Sequence, residues 1–411
     1  MNILVINQPL KNRGDESAHK ALIRKLLEEY PNVKITVLFP GSVSTNDVEQ
    51  FHVKDIRVDY VIHPLFISWY VYQSIKLGLY YHMRFLWDVV PSVKSWLSYF
   101  KQSDLVICAP GGICMGGFQN WMHLFNLVCA KYCHKPLAYY GRSFGPFPTR
   151  SRSNRRFKRV SMEMLSYFSY LSIRDKKTQM LADSLNLHYT SVVDTAFLDS
   201  PRVTIPTVVH DEIGDSNYFV FVPNLLVWHY AYTNRLSSDD VIIFFSDLLE
   251  EVFQVCPNLK CIMLPQTFGY KADYANDRNF FLSIKKRVQD DRIIVADDNM
   301  SSDIQQSVIA KSSFIIGARY HSVVFAINNA VPFIALSYEH KISGLLDLLG
   351  KGDCMIDIES LILTLEGRRK IIEMVVELLG KIVADENAMN HAKEMAEYGI
   401  HCFKETYKWL A

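Results

Sequence analysis

The stretch NILVINQPLKNRGDESAHKALIRKLLEEYPNVKITVLF, residues 2–39, decides how the rest of the chain is read. An apolar run over residues 2–7 gives way to a polar turn holding Gly14. Apolar residues then recur with helical spacing from about Glu16 to Tyr30, where Pro31 and Asn32 stop the pattern, and residues 33–39 form a second apolar run. Strand, helix and strand in that order make the repeating unit of a parallel sheet whose faces are both covered.

Working outward, DLVICAPGG (104–112) and KPLAYYGRSFGPF (135–147) repeat the plan of a buried strand ending in a glycine-rich loop. Such loops fall at the carboxyl edge of the sheet, where open α/β folds bind ligands. A second series starts near residue 217: NYFVFVPN, LKCIMLPQT, RIIVADD, SFIIGAR and PFIALSY alternate with helix-like segments. At 411 residues the chain exceeds the usual range of one core. The sequence therefore predicts an α/β fold of two Rossmann-like domains, residues 1–200 and 216–383. Residues 201–215 are expected to be a linker, and residues 384–411 a helix that can pack back on the first domain. Residues 60–100 form an insertion with twelve aromatic residues and four Asp, Glu, Lys or Arg. It reads either as a helical hairpin packed on the first sheet or as an element touching a bilayer or apolar ligand.

Lys+Arg of 44 against Asp+Glu of 43 leave a formal charge of +1, so there is no general attraction to nucleic acid. The eight Cys lack the density of a disulfide scaffold and read as free thiols of a reducing compartment. The opening lacks the basic region of a signal peptide, and no apolar run is long enough to span a bilayer. There is no HExxH, no repeated CxxC and no full GxGxxG, so neither a metal nor a nicotinamide is expected.

Candidate site residues cluster after strands. Arg319 and His321 follow the strand SFIIG at the opening of a helix, where cationic side chains and free amides can converge on an anion. Lys341, after the next strand, can complete such a clamp. Arg142 and Arg174 also follow short apolar runs. Arg142 opens a stretch, residues 141–159, with seven Arg or Lys and no acid, the rest of which reads as a solvated face. Asn12 and Asp15 sit at the first strand-to-helix turn, as ligand contacts or as an Asx turn and a helix cap. Gly111 and Gly112 offer backbone to a sugar or phosphate, and His229 and Gln266 lie where contacts to a sugar or ordinary loop bonds are both expected.

NILVIN with NRGDE, DLVICAPGG, GRSFGPF, SIRD, VVDTAF and, above all, GARYHSVVFAINNAVPFIALSYEHK (317–341) together resemble the polysaccharide pyruvyl transferase family over most of the chain. The resemblance implies a fold similar to GT-B glycosyltransferases. It implies transfer of pyruvyl from phosphoenolpyruvate to a sugar of a capsule or exopolysaccharide precursor, forming a cyclic ketal and releasing phosphate, with no cofactor beyond that donor. Arg319, His321 and Lys341, with Arg142 and Arg174, are then expected on the donor. Asn12, Asp15, Gly111, Gly112, His229 and Gln266 are expected on the acceptor, which the first domain would hold. The loop GGICMGGFQNW (111–121) departs from the family in carrying neither Asp nor Glu. The implied setting is cytoplasmic, or peripheral to the inner face of a membrane if the acceptor is lipid-linked. A sugar-nucleotide-dependent glycosyltransferase and a noncatalytic glycan-binding protein remain alternatives, while specific nucleic-acid binding has no motif to support it.

Overall fold

In the computed structural model the opening apolar run becomes β1 (Asn2–Ile6), buried from Ile3 onward. Burial on both faces is why it does not alternate. Residues 1–65, 68–214, 216–229, 231–269 and 276–410 are described. Residues 66 and 67 of the aromatic stretch, Asp215 of the expected linker and Ala411 of the expected C-terminal helix lie outside them. The chain divides into two compact units, one of Met1–Leu10, Ala18–Asp199 and Met395–Ala411, the other of Lys11–Ser17 and Ser200–Glu394.

After β1 comes α1 (Arg13–Glu29), which starts earlier than the apolar spacing suggests because the Asn12 side chain accepts from the Gly14 and Asp15 amides at 2.8 and 3.2 Å. The cap is thus Asn12, and Asp15 lies inside the first turn. β2 (Lys34–Pro40), α2 (Thr45–Glu49) and β3 (Val58–His63) follow. The aromatic stretch folds into α3 (Trp69–Tyr81), α4 (Leu86–Val89) and α5 (Pro91–Gln102). Its Trp87, Trp96 and Phe100 are fully buried in the first unit's core. Next come β4 (Leu105–Cys108), β5 (Gly111–Gly116), α6 (Trp121–Tyr132), β6 (Leu137–Tyr139) and β7 (Arg142–Gly145). α7 (Arg152–Leu165), β8 (Tyr170–Ile173), α8 (Lys176–Ser184) and β9 (Thr190–Ser191) complete the series. Seven parallel strands run in the order β3-β2-β1-β4-β6-β8-β9, with β5 and β7 paired separately. The order reverses between β1 and β4, which opens a crevice at their carboxyl ends.

α9 (Thr207–Ile213) occupies much of the segment expected to be a linker. The second sheet is built from β10 (Tyr218–Val222), β11 (Lys260–Met263), β12 (Ile293–Val295), β13 (Ile315–Gly317), β14 (Phe333–Ser337) and β15 (Met355–Asp357). Between them run α10 (Ser238–Val255), α11 (Asp277–Val288), α12 (Ser302–Ile309), α13 (Tyr320–Asn328) and α14 (His340–Leu348), with α15 (Leu365–Leu379) after β15. The parallel order β12-β11-β10-β13-β14-β15 reverses between β10 and β13. Gly317 ends β13 for a steric reason: a Cβ there would lie 2.1 Å from the Ser322 Oγ of α13. α16 (Glu386–Thr406) follows, with a helical turn at Lys408–Leu410 after it. Its Phe403 ring packs 5.7 and 5.4 Å from those of Tyr140 and Tyr170, and the Tyr407 hydroxyl is 2.7 Å from the Ser169 Oγ, all within the first unit.

Candidate functional site

At the reversal point of the second unit, Arg319 occupies the position just before α13, and its side chain does not cap the helix. The Ser322 amide turns back to the Arg319 carbonyl at 3.1 Å, so the helix opens on backbone rather than on a side-chain cap. One guanidinium nitrogen, Nη2, donates to the Asp277 Oδ1 and, at 3.2 Å, to the Thr267 Oγ1. Asp277 is only 2% exposed, and its second oxygen accepts from the Gln266 and Thr267 amides at 2.9 and 3.0 Å. Arg319 is thus aimed by a carboxylate that is itself clamped by backbone. The Arg319 Nε is buried and has no partner among the described residues, leaving a donor of the guanidinium fork for a ligand.

His321 lies in the first turn of α13, 8% exposed. Its ring rests on Gly14: a Cβ at that glycine would meet His321 Nδ1 at 1.8 Å. The close approach that Gly14 permits is therefore to an imidazole of the same unit. Arg13 and Glu16, both fully buried, form a 2.6 Å ion pair. Arg13 also donates to the Asp298 carbonyl, and its guanidinium lies 4.0 Å from the centre of the Phe268 ring. The other Glu16 oxygen accepts from the Ser302 amide at the start of α12, at 3.0 Å. The Arg13 amide donates to the Gln266 carbonyl at 2.8 Å, next to a bridge pairing Asn12 with Thr267. Residues 11–17, expected in the first domain, thus pack within the second unit. A buried ion pair and backbone bonds hold them there.

Lys341, in the first turn of α14, is 3.2 Å from the Glu339 Oε1, while the His229 Nε2 stands 3.9 Å from the other oxygen of that carboxylate. Burial holds the His229 pKa below the usual histidine value, opposed by Glu339. His229 and Gln266, expected as contacts to the acceptor from the second domain, both belong to the second unit. Gln266 is 2% exposed, its carbonyl and amide are used by Arg13 and Asp277, and its side-chain Nε2 has no partner among the described residues.

In the first unit, two arginines expected on the donor have other work. Arg142 is 1% exposed and donates to the carbonyls of Gly112, Asn7 and Ala109 at 3.1, 3.0 and 2.7 Å and to the Cys114 Sγ at 3.2 Å. It ties together the loops leaving β1 and β4, so its fork is spent on backbone. Arg174 pairs with the fully buried Asp194 and donates to the Gly111 carbonyl at 3.2 Å. That pair joins the SIRD and VVDTAF motifs, and Asp194 also caps the helical turn Thr195–Leu198. Both guanidiniums, expected on the donor, are thus held by carbonyls and a buried acid of the first unit. Gly111 adopts φ +156, and a Cβ there would lie 2.7 Å from Pro9, so the position needs glycine. Gly112 has open space where a side chain would go.

Beside the β1/β4 reversal lies a cavity of about 320 Å³, lined by Asn7, Gln8, Asn120, His123, Asn126 and Arg142 among polar groups, with Leu38, Phe39, Pro40 and Met122. Its volume falls at the low end of ligand sites. The Asn126 Nδ2 donates to Asn7 at 2.8 Å, and the Asn7 Nδ2 donates to the His123 carbonyl at 3.2 Å. The Asn126 Oδ1 is buried without a partner among the described residues. Burial, reinforced by Arg142, keeps the His123 pKa well below the ordinary value, so that imidazole is neutral.

Sequence reasoning missed Asp277, Glu339, the Arg13–Glu16 pair and the amide wall of Asn7, Asn120 and Asn126. Asp277 carries a helix-start signal in its local sequence, but its pairing with Arg319 spans 42 residues and leaves no local trace. The NRGDE motif was visible, yet which acid would meet Arg13 was not.

The polysaccharide pyruvyl transferase model matches residues 12–340, from the cap of α1 to the first turn of α14. The chain belongs to the polysaccharide pyruvyl transferase family. It is similar to the amylovoran biosynthesis protein AmsJ of Erwinia amylovora, 22% identical over 375 residues, covering 87% of this chain and 88% of AmsJ. Among solved structures it resembles the UDP-GlcNAc 2-epimerase of Methanocaldococcus jannaschii (TM-score 0.58, 10% identity, 98% and 100% of the two chains). It also resembles UDP-GlcNAc 2-epimerase of Neisseria meningitidis bound to UDP-GlcNAc (TM-score 0.53, 13% identity, 96% and 94%). At such identities the likeness is one of fold: α/β, with two Rossmann-like domains of the GT-B kind. Among the described residues no helix is long and apolar enough to cross a membrane.

Proposed function

We propose that this member of the family transfers the pyruvyl group of phosphoenolpyruvate to two hydroxyls of a surface-polysaccharide precursor sugar. The supporting observation is the arrangement at the start of α13, where an Asp277-aimed Arg319 with a spare donor stands two residues before the buried His321 at a helix N-terminus. The donor carries a carboxylate and a phosphate, and a planar fork beside a helix N-terminus suits either. Lys341, shared with Glu339, supplies a second positive charge. Protonation of the methylene carbon by His321 would leave the adjoining carbon electron-poor. One sugar hydroxyl adds there, the bond to phosphate breaks, and a second hydroxyl closes the ketal. Of the two hydroxyl protons, one replaces that given by His321 and the other leaves with phosphate. Arg319 would stabilise the departing anion.

For the acceptor we propose the amide-lined cavity of the first unit. Side-chain amides offer donors and acceptors together, which matches sugar hydroxyls. This assignment replaces Asn12, whose side chain caps α1. A lipid-linked sugar and a nucleotide-linked sugar are the two forms of acceptor to try. The test is incubation with phosphoenolpyruvate and each, measuring phosphate release and a pyruvyl mass increment on the sugar.

The fold likeness supports a second reading, sugar transfer from a UDP-sugar, because two of the similar structures are UDP-GlcNAc 2-epimerases. Nucleotide release with a gain of one hexose on the acceptor would select it. Saturable glycan binding without turnover of either donor would instead assign a noncatalytic role.

A further inference from the structure

We infer that the outer face formed by α3 and α7 of the first unit docks on an anionic bilayer surface, independently of which donor the protein uses. α3 buries Val71, Ser74, Ile75, Gly78 and Leu79 and turns the opposite side outward. On that outer side stand aromatic rings where charges would be usual: Trp69, Tyr70, Tyr72 and Tyr81 are 66%, 74%, 49% and 54% exposed. The helix contains no acid, and Lys76 lies 5.9 Å from the rings of both Tyr72 and Tyr80.

The basic run of α7 is joined to this face. The Arg156 guanidinium sits 4.9 and 5.2 Å from the centres of the Tyr80 and Tyr81 rings and donates to the Tyr81 hydroxyl at 3.0 Å. Arg152, Arg155 and Arg159 of the same helix are exposed. The acid of α7, Glu163, is drawn away by Arg84 and Lys131 at 2.7 and 3.2 Å. Asp88 of α4 is held by Tyr132 and by Lys101. Exposed Trp and Tyr flanked by unopposed Arg and Lys match the two components of a bilayer surface: rings settle at headgroup depth and the cations meet anionic lipid. Single-stranded nucleic acid would need open ring faces for base stacking. Here Tyr80 and Tyr81 carry Arg156, and Trp69 and Tyr70 stand edge-on to one another at 85°.

The test is co-sedimentation of the full chain with vesicles of phosphatidylcholine alone or mixed with phosphatidylglycerol. The native protein should pellet with the mixed vesicles and not with the neutral ones. The Trp69→Ser/Tyr70→Ser/Tyr72→Ser variant and the Arg152→Glu/Arg155→Glu variant should each lose about tenfold or more in partitioning. Both should keep the native melting temperature, since every altered side chain is exposed. The control Tyr398→Ser, an exposed ring on α16, should pellet as the native protein does. Failure of the native protein to prefer anionic vesicles overturns the inference, as does full retention by both patch variants. Concentration-dependent dimerisation abolished by the same substitutions would reassign the face to a second copy of the chain. Tighter binding of a single-stranded oligonucleotide than of vesicles would reassign it to nucleic acid.

Discussion

The two reversal points, β1/β4 and β10/β13, arise from the same strand logic and are furnished in opposite ways. In the first unit the one arginine at the crevice, Arg142, gives its donors to three carbonyls and a thiol, and the wall is amides and a neutral imidazole. In the second, Arg319 is steered by a buried carboxylate while keeping a donor in reserve, with His321 beside it. An arginine after a parallel strand is therefore no sign of an anion site by itself. What separates the two is whether backbone or a carboxylate holds the guanidinium, and how much of the fork is left.

The largest effect should come from His321→Ala. Loss of a positioned proton donor is expected to lower turnover by roughly 10²–10⁴-fold, read as phosphate release with phosphoenolpyruvate, while circular dichroism stays native. Normal turnover would erase the chemical distinction between the crevices. Gly14→Ala should imitate it, since its methyl collides with the imidazole, but through geometry rather than loss of the group.

Next in size, Arg142→Ala strands buried carbonyls and should cost about 3 kcal/mol or more of stability, measured by chemical denaturation. Loss of activity without loss of stability would instead place Arg142 on a ligand, as proposed for Arg319. Asp277→Asn should sharpen the contrast from the other side. With the steering charge gone, donor KM should rise about tenfold, and acceptor KM should stay unchanged.

A smaller effect concerns protons. His19, buried in the first unit, has its pKa lowered by burial to about 3 from 6.5. Its native state is neutral, so the unfolded chain binds the extra proton and stability is lost as pH falls through 6.5. Between pH 6.5 and 5 that linkage amounts to about 2 kcal/mol. His123 and His63, also lowered by burial, act in the same direction. Denaturation midpoints at these two pH values check it, and His19→Gln should flatten the slope.

Much of the architecture was readable because parallel strands buried on both faces leave continuous apolar runs, and each of β1, β4, β10, β13 and β14 coincides with one. Gly317, Arg319 and His321 were readable for the same reason: they follow such a run directly. The fate of Arg142 and Arg174 was not, since it depends on carbonyls and an acid brought near by topology, up to 135 residues away. Nor could Gly14 declare which ring it accommodates. The Asn120 cap of α6 likewise gives no local hint that it borders a cavity.

The second unit closes around residues made long before the rest of it. Glu16 and the Ser302 amide it accepts from are 286 positions apart. At the ~5–20 residues per second typical of ribosomes, roughly 15–60 s pass between their appearances. For that interval Glu16 has Arg13 beside it but not the Ser302 amide, and a nascent chain truncated after the first sheet would leave the pair unburied by the second unit. Expressing residues 200–394 alone should consequently yield an unstable product, and adding a peptide spanning residues 11–17 in trans offers a route to rescue.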